Sequence, residues 1–322
     1  MTTSPTPGSE PLPATYGGSN WRSRKGSHAE DVAAGRLWHR CGTTDEFSPL
    51  REVMLAWPPD SIAHAAPPDA YLFLERVDLS TLRRQFAAVR AFYESQGVEV
   101  HVLQSPPNAS PNILFQRDLY FVTGEGAALA RMASPQRAGE ERLAAAALAA
   151  AGIPILASPR AEATFEGADA LWLNRSTVAV GVGRRTNNEG FAQLALLLAP
   201  MGVKLILVPL PEGLQHLLGA VNIIDRDLAA VDSERTTPLM RSLLESHGYE
   251  LLELGPAPEV RDGRALNFVT LAPRKLVMPA GCPAARATLA AHGVRCHELD
   301  VSQYLRAAGA LGCLTGILLR AE

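Results

Sequence analysis

Nothing in this 322-residue sequence pairs one cysteine with another. The four cysteines, Cys41, Cys282, Cys296 and Cys313, stand apart, with no CxxC pair and no His/Cys cluster at zinc-motif spacing. Scattered thiols suit a reducing compartment, so a cytoplasmic location is expected. A basic field is also missing: a net charge of −3 offers nothing to nucleic acid. The first residues are polar and rich in Pro, Ser and Thr, unlike a secretory signal. The longest apolar stretches, around 143–157 and 191–210, each contain a Gly and a Pro and read as helix then strand. No membrane span is expected from them. What is present, 47% hydrophobic and 20% charged residues, is the composition of a soluble globular protein with a substantial core.

One unit recurs five times. An amphipathic helix runs into a glycine and the glycine into a short apolar strand: VRAFYESQG-VEVHVL, LAAAALAAAG-IPILAS, QLALLLAPMG-VKLILV, RSLLESHG-YELLEL and RATLAAHG-VRCHEL. Gly97, Gly152, Gly202, Gly248 and Gly293 follow one another at steps of 55, 50, 46 and 45 residues. Such a period signals a repeat architecture whose units complete their cores against neighbours. Ahead of each of the four later helices sit two short strands joined by a turn, at DLYFVT-GEG-AALARM, ALWLN-RS-TVAVGV, AVNII-DRD-LAAV and LNFVTL-APR-KLVMPA. The unit is therefore strand–strand–helix–strand.

Helix 80–96 has only REVMLAW (51–57) before it, while CLTGILLR (313–320) is left over at the far end. Pairing these first and last strands closes a pseudo-symmetric ring of five α/β units and removes free sheet edges. An ordinary open α/β sheet is the rival, and it leaves the hairpins unexplained. Residues 1–45 lie outside the repeat as an N-terminal extension, with 1–14 expected to be disordered. Its Trp21 and Trp38, beside a basic cluster at Arg22, Arg24 and Lys25, would pin it to the body, and covering an active site is one use for it. Residues 46–322 are the predicted catalytic domain.

Reactive side chains recur at one address, at or just before the first hairpin strand. Asp118 opens the first hairpin in FQRDLYF, Glu166 and Asp169 precede the second in FEGADALWL, and His216 precedes the third in QHLLGAV. Cys313 is expected to start the last strand in LGCLTG. Equivalent positions in a ring converge on its axis, so separations of 48, 50 and 97 residues become proximity around one cavity. A cysteine with a histidine is a nucleophile with a proton carrier. Carboxylates beside a thiol oppose its ionisation, which makes sense when a cationic substrate neutralises them. A guanidinium fits, being planar, permanently charged and matched to bidentate carboxylates. Singly, each residue has a plainer reading. Asp118 could pair with Arg117, Glu166 and Asp169 could cap a turn, His216 could be a satisfied core histidine, and Cys313 could be inert packing. Their shared address favours chemistry. His247 and His292 suit helix C-termini, and Cys282 and Cys296 suit packing.

At these residues the chain resembles the guanidino-group-modifying enzymes: arginine deiminases, dimethylarginine dimethylaminohydrolases and amidinotransferases. The resemblance spans residues 46–320 and rests on FQRD, FEGAD, VGRRTNNEG, His216 with IIDRDLA, NFVTLAPRKLVMPAGCP and GCLTG. It implies a five-bladed α/β propeller of strand–strand–helix–strand units. By the same resemblance Cys313 would attack the guanidinium carbon, and His216 would protonate the leaving amine and then activate water. Asp118 would grip the guanidinium nitrogens. Glu166 would contact both substrate and histidine, with Asp169 closing its motif. Arg185 would bind a substrate α-carboxylate, and Arg137 sits where a second carboxylate-binding arginine is found; both could instead be surface ion pairs. No metal and no cofactor is implied, because a covalent thiol intermediate divides the reaction into accessible steps.

Two departures from the family pattern stand out. Arginine deiminases and amidinotransferases carry an aspartate two residues after the histidine, where this chain has Leu218 followed by Gly219. An anion is lost and an apolar wall gained, as in dimethylargininases, which suits an N-substituted guanidine. Gly312 directly precedes the cysteine where related hydrolases often have a polar residue, and this leaves the exact substrate open. The expected function is hydrolysis of arginine or an N-substituted arginine to a ureido product such as citrulline, with release of ammonia or an amine. An amidinotransferase passing the amidino group to an amine is the alternative, and a non-catalytic five-fold binding ring is a third reading. The expected partner is a small guanidino molecule, with no nucleic acid and no membrane; homo-oligomerisation stays open.

Overall fold

The computed structural model describes residues 11–255 and 257–321, so most of the 1–14 segment lies outside the described residues. Five helices carry the repeat: Leu79–Ser95, Glu140–Ala150, Asn188–Leu198, Pro238–Ser246 and Pro283–Ala291. All five end alike. The repeat glycine takes a left-handed φ, between 72° and 87° across the set. The next amide then bonds back five residues: Val98 to Tyr93, Ile153 to Leu148, Val203 to Leu198, Tyr249 to Leu244 and Val294 to Leu289. This is a Schellman closure, which a side chain on the glycine would oppose. Both residues of every pair are buried, forming an apolar clasp that turns helix into strand. Burying one such side chain stabilises the fold by roughly 1.5–3 kcal/mol relative to leaving it exposed.

The strand leaving each clasp pairs in parallel with the strand that precedes the helix, which requires a crossover of this kind. That middle strand pairs antiparallel with a hairpin partner, so five three-stranded sheets result. The second joins Tyr120–Thr123, Gly126–Leu129 and Ile155–Ala157; the third joins Ala170–Asn174, Thr177–Val182 and Lys204–Pro209. The fourth joins Val221–Asp225, Leu228–Asp232 and Glu250–Leu254; the fifth joins Val269–Ala272, Lys275–Pro279 and Arg295–Leu299. The first has the same form because the first and last strands meet. Leu50–Ala56 is antiparallel to Gly316–Arg320, with Val53 opposite Ile317, and parallel to Glu99–Leu103. Between sheets, Gly316–Arg320 touches Tyr120–Thr123, and Val269–Ala272 touches both Val221–Asp225 and Leu50–Ala56.

In the extension, helix His28–Ala34 opens with a capping box between Ser27 and Glu30. The tryptophans do not anchor it: Trp21 is 58% and Trp38 39% exposed. Val32 and Cys41 are buried against the second sheet instead, and backbone bonds from His39 to Gly152 and from Gly42 to Leu318 fasten the segment. The approach is close at Gly42, where a Cβ would lie 2.7 Å from the Cα of Gly124. Among the described residues no helix is long and apolar enough to cross a membrane.

Candidate active site

Three short 3-10 turns occupy the address where the reactive residues recur: Gln116–Asp118, Gly167–Asp169 and Leu217–Gly219, each just ahead of the first strand of its sheet. The turns touch in series, and the short helical turn Leu311–Leu314 packs on the first. Asp118 closes the first turn, Glu166 and Asp169 bracket the second, and His216 leads into the third. Cys313 lies on Leu311–Leu314, not on the final strand, which begins only at Gly316. The glycine of FEGAD has a steric reason: a Cβ on Gly167 would lie 2.2 Å from the Tyr120 carbonyl oxygen and 2.6 Å from that of Arg117. Glycine lets the second turn press against the first and brings their carboxylates together.

His216 Nε2 lies 2.8 Å from Glu166 Oε2, and its Nδ1 is 3.9 Å from Asp118 Oδ1. Asp118 Oδ2 accepts from Arg137 at 2.6 Å, whereas its Oδ1 is buried without a hydrogen-bond partner among the described residues. An unpaired buried acceptor costs about 1–3 kcal/mol, which a ligand donor would offset. Asp169 faces away from this group, accepting the Leu217 N–H at 3.0 Å and the Thr186 hydroxyl at 2.7 Å. It braces the His216 turn. The VGRRTNNEG run divides similarly: Arg185 reaches Glu166 at 3.3 Å, Thr186 holds Asp169, and Asn187 caps the helix Asn188–Leu198. Asn267 grips the cysteine twice, its Oδ1 accepting the Cys313 amide and its Nδ2 donating to Sγ, each at 3.0 Å.

A pocket opens onto His216 and Cys313, with Leu218 and Gly219 in its wall. Asp118 and Glu166 are buried beside His216 and are not in that wall. Arg137 and Arg185 are absent from it too. Arg137, 1% exposed, donates to Asp118 at 2.6 Å and to Glu140 at 2.8 Å, so its donors are committed to carboxylates of the protein itself. The arginines that do wall the pocket are Arg117, Arg264 and Arg320. Arg117 pairs with Glu46 at 3.1 Å and Arg320 donates to the Ser48 and Thr270 carbonyls. Arg264 forms no ion pair within 4.0 Å among the described residues. Sequence reasoning misses Arg264 and Asn267. Their position just ahead of the first strand of the fifth sheet, the address used by Asp118, Glu166 and His216, is the signal that finds them.

Burial opposes a charge on His216, but Asp118, the bond to Glu166 and the charge of Asp169 outweigh it and raise the imidazole pKa. Burial acts against the Glu166 carboxylate as well, yet His216, Arg137 and Arg185 hold it below the usual carboxylate range. Asp169 is pushed up to about 7, chiefly by burial. Burial and then the Asp118 charge push the Cys313 thiol up, while Arg264, the Ala310 backbone and Asn267 pull it down. These surroundings favour an imidazolium against ionised Glu166, and a neutral thiol facing it. Donor atoms of Asp118, Glu166 and His216 lie within 4.8 Å of one another, a spacing a metal ion could bridge, although Arg137 and Arg185 already supply cations there.

The family model for arginine deiminase matches residues 90–234. An uncharacterized protein of Aeropyrum pernix is 28% identical over 80% of this chain and 92% of its own length. The dimethylarginine dimethylaminohydrolase of Pseudomonas aeruginosa is 25% identical over 73% of this chain and 87% of its own. A structure of that enzyme, a cysteine-to-serine mutant complexed with citrulline, superposes with a TM-score of 0.69 at 20% identity, covering 85% of this chain and all (100%) of the other. An amidinotransferase of the saxitoxin pathway from Microseira wollei gives a TM-score of 0.72 at 15% identity, covering 88% of this chain and 98% of its own. The chain is thus similar in sequence to arginine deiminases and dimethylarginine dimethylaminohydrolases, and similar in fold to solved guanidino-group-modifying enzymes.

Proposed function

We propose that this chain is a cysteine-dependent hydrolase of an N-substituted arginine or a similar guanidino compound. The observation that carries the reading is that Cys313 and His216 line one pocket while Glu166 and Asp118 are buried beside His216, the four coming from four different sheets' leading turns, with Asp118 Oδ1 unpartnered among the described residues. A guanidinium N–H would satisfy that oxygen, and its charge would offset the carboxylate that holds the thiol neutral.

As the cation binds, the Cys313 thiol gives up its proton to solvent, and the resulting thiolate attacks the guanidinium carbon. The C–N bond to the leaving amine breaks as His216 passes its proton to that nitrogen, leaving an amidino-thioether on sulfur. Neutral His216 then takes a proton from water as the hydroxyl adds to the same carbon. The C–S bond breaks as the added hydroxyl loses its proton to solvent, releasing the ureido product and the thiolate. Glu166 orients the imidazole and stabilises its charged form. Arg137 and Arg185 are positioning residues for the carboxylates, and Arg264 is the cation assigned to a carboxylate elsewhere on the substrate.

The five sheets are read as the blades of a pseudo-symmetric propeller around this site. Their common form, the first-to-last strand pairing and the contacts from sheet to sheet support that reading. Residues 46–322 would be the catalytic domain, with residues 1–45 as an extension that docks on it through Val32, His39, Cys41 and Gly42, working in the cytoplasm as the four free thiols suggest.

Incubation with a panel of guanidino compounds, followed by intact-mass measurement, tests the proposal. A substrate-derived adduct and a ureido product, both lost in Cys313→Ala, are expected. Transfer to an added amine in place of water would assign the amidinotransferase reading. Clean protein mass and no product across a broad panel would remove both.

A further inference from the structure

A second cluster of reactive side chains lies away from the Cys313 pocket. His39 and His101 both bring Nε2 to the same oxygen of Glu52, at 2.7 and 3.1 Å. The three residues come from separate segments: the extension, the strand Leu50–Ala56 and the strand Glu99–Leu103. Their sequence separations hide them from any motif of metal-ligand spacing. None of them lines the pocket that holds Cys313.

We propose that His39, Glu52 and His101 form a divalent-metal site, suited to zinc, that staples the extension to the first sheet. Two imidazole nitrogens and one carboxylate oxygen are a donor set that zinc favours. Zinc bonds of about 2.0–2.1 Å at tetrahedral angles place neighbouring donors about 3.3 Å apart. The donor atoms of all three residues already lie within 4.8 Å of one another, with the two imidazoles at 2.7 and 3.1 Å from Glu52, so side-chain adjustments of roughly an ångström or less bring each of these two contacts to that spacing.

The frame behind the donors is stiff. Met54 is in register with His101 and Glu52 with Glu99 on adjacent parallel strands, which puts Glu52 and His101 on one face of the sheet. His39 is placed by its own N–H bond to the Gly152 carbonyl at 2.9 Å. Glu52 is 8% exposed, whereas the His39 side chain is 37% exposed, so the site is walled by protein on one side and open to solvent on the other. Glu99, whose Oε1 is 3.6 Å from His101 Nε2, or a water would complete the coordination. Because one ligand sits on the extension and two on the body, metal binding and docking of the extension are thermodynamically linked.

The test uses zinc chloride titrated into metal-stripped full-length His216→Ala, a background that disables the donor cluster at the pocket. Calorimetry should give one equivalent of bound zinc. Adding His39→Ala or His101→Gln should weaken that binding at least tenfold, with circular dichroism reporting that each variant is folded. Zinc should also slow tryptic cleavage within residues 22–40 severalfold in the background protein, and not in either added variant. Absence of zinc binding, or binding unchanged by both added substitutions, would overturn the site. Zinc binding that leaves cleavage of the extension unchanged would overturn the staple. The outcome is independent of guanidino hydrolysis, since none of its readouts is activity.

Discussion

Asn267 offers the sharpest perturbation, because its amide donates to Cys313 Sγ at 3.0 Å and carries no charge of its own. A hydrogen bond to an ionised group contributes about 1.5–3 kcal/mol, and 1.36 kcal/mol is a factor of ten in an ionisation equilibrium. Asn267→Ala should therefore lower the thiolate population of Cys313 at neutral pH on the order of 10- to 100-fold. Asn267→Asp keeps the shape and the acceptor for the Cys313 amide but replaces the donor with an anion, so it should lower that population further. The assay is the rate of iodoacetamide alkylation at Cys313 against pH, read on the Cys313 peptide by mass. Reading that peptide separates it from Cys41 and Cys282, which are buried, and from Cys296. The expected order at pH 7 is wild type, then alanine, then aspartate, with the rates converging at alkaline pH where thiolate forms in all three. Rates for both variants within twofold of wild type at pH 7, or an aspartate variant faster than wild type, would refute the reasoning.

Two further outcomes are expected. Leu218 is in the pocket wall, so Leu218→Asp should restore an anion and shift preference toward unsubstituted arginine; an unchanged ranking of substrates in competition assays would count against the N-substituted reading. Asp169 binds a proton more tightly folded than unfolded, its pKa rising from 3.8 to about 7. A carboxyl shifted upward makes the folded state progressively less favourable as pH rises through that window. Asp169→Asn keeps an acceptor for the Leu217 N–H and removes the titrating group, so its stability relative to wild type should rise between pH 4 and 7 in urea melts, and a constant difference would contradict this.

The repeat glycines, the hairpins and the meeting of first and last strands are legible in the sequence because each rests on local chemistry. A left-handed φ calls for glycine, an alternating run calls for a strand, and two orphan strands call for one another. The address shared by Asp118, Glu166 and His216 is legible for the same reason, since a repeated unit repeats its turns. Which way a side chain points from that address is another matter. Arg137, Arg185 and Asp169 read from the sequence as substrate contacts; in the structure Arg137 and one Arg185 nitrogen reach buried carboxylates, and Asp169 accepts from a turn amide and a hydroxyl. Asn267 and Arg264 were chemically mute in the sequence because an amide and a lone arginine announce nothing until a thiol is placed beside them. Covalent order and backbone preference determined the units and their turns. Burial and charge pairing across sheets, which arise only once distant segments pack, decided which groups face the pocket and which hold it in place.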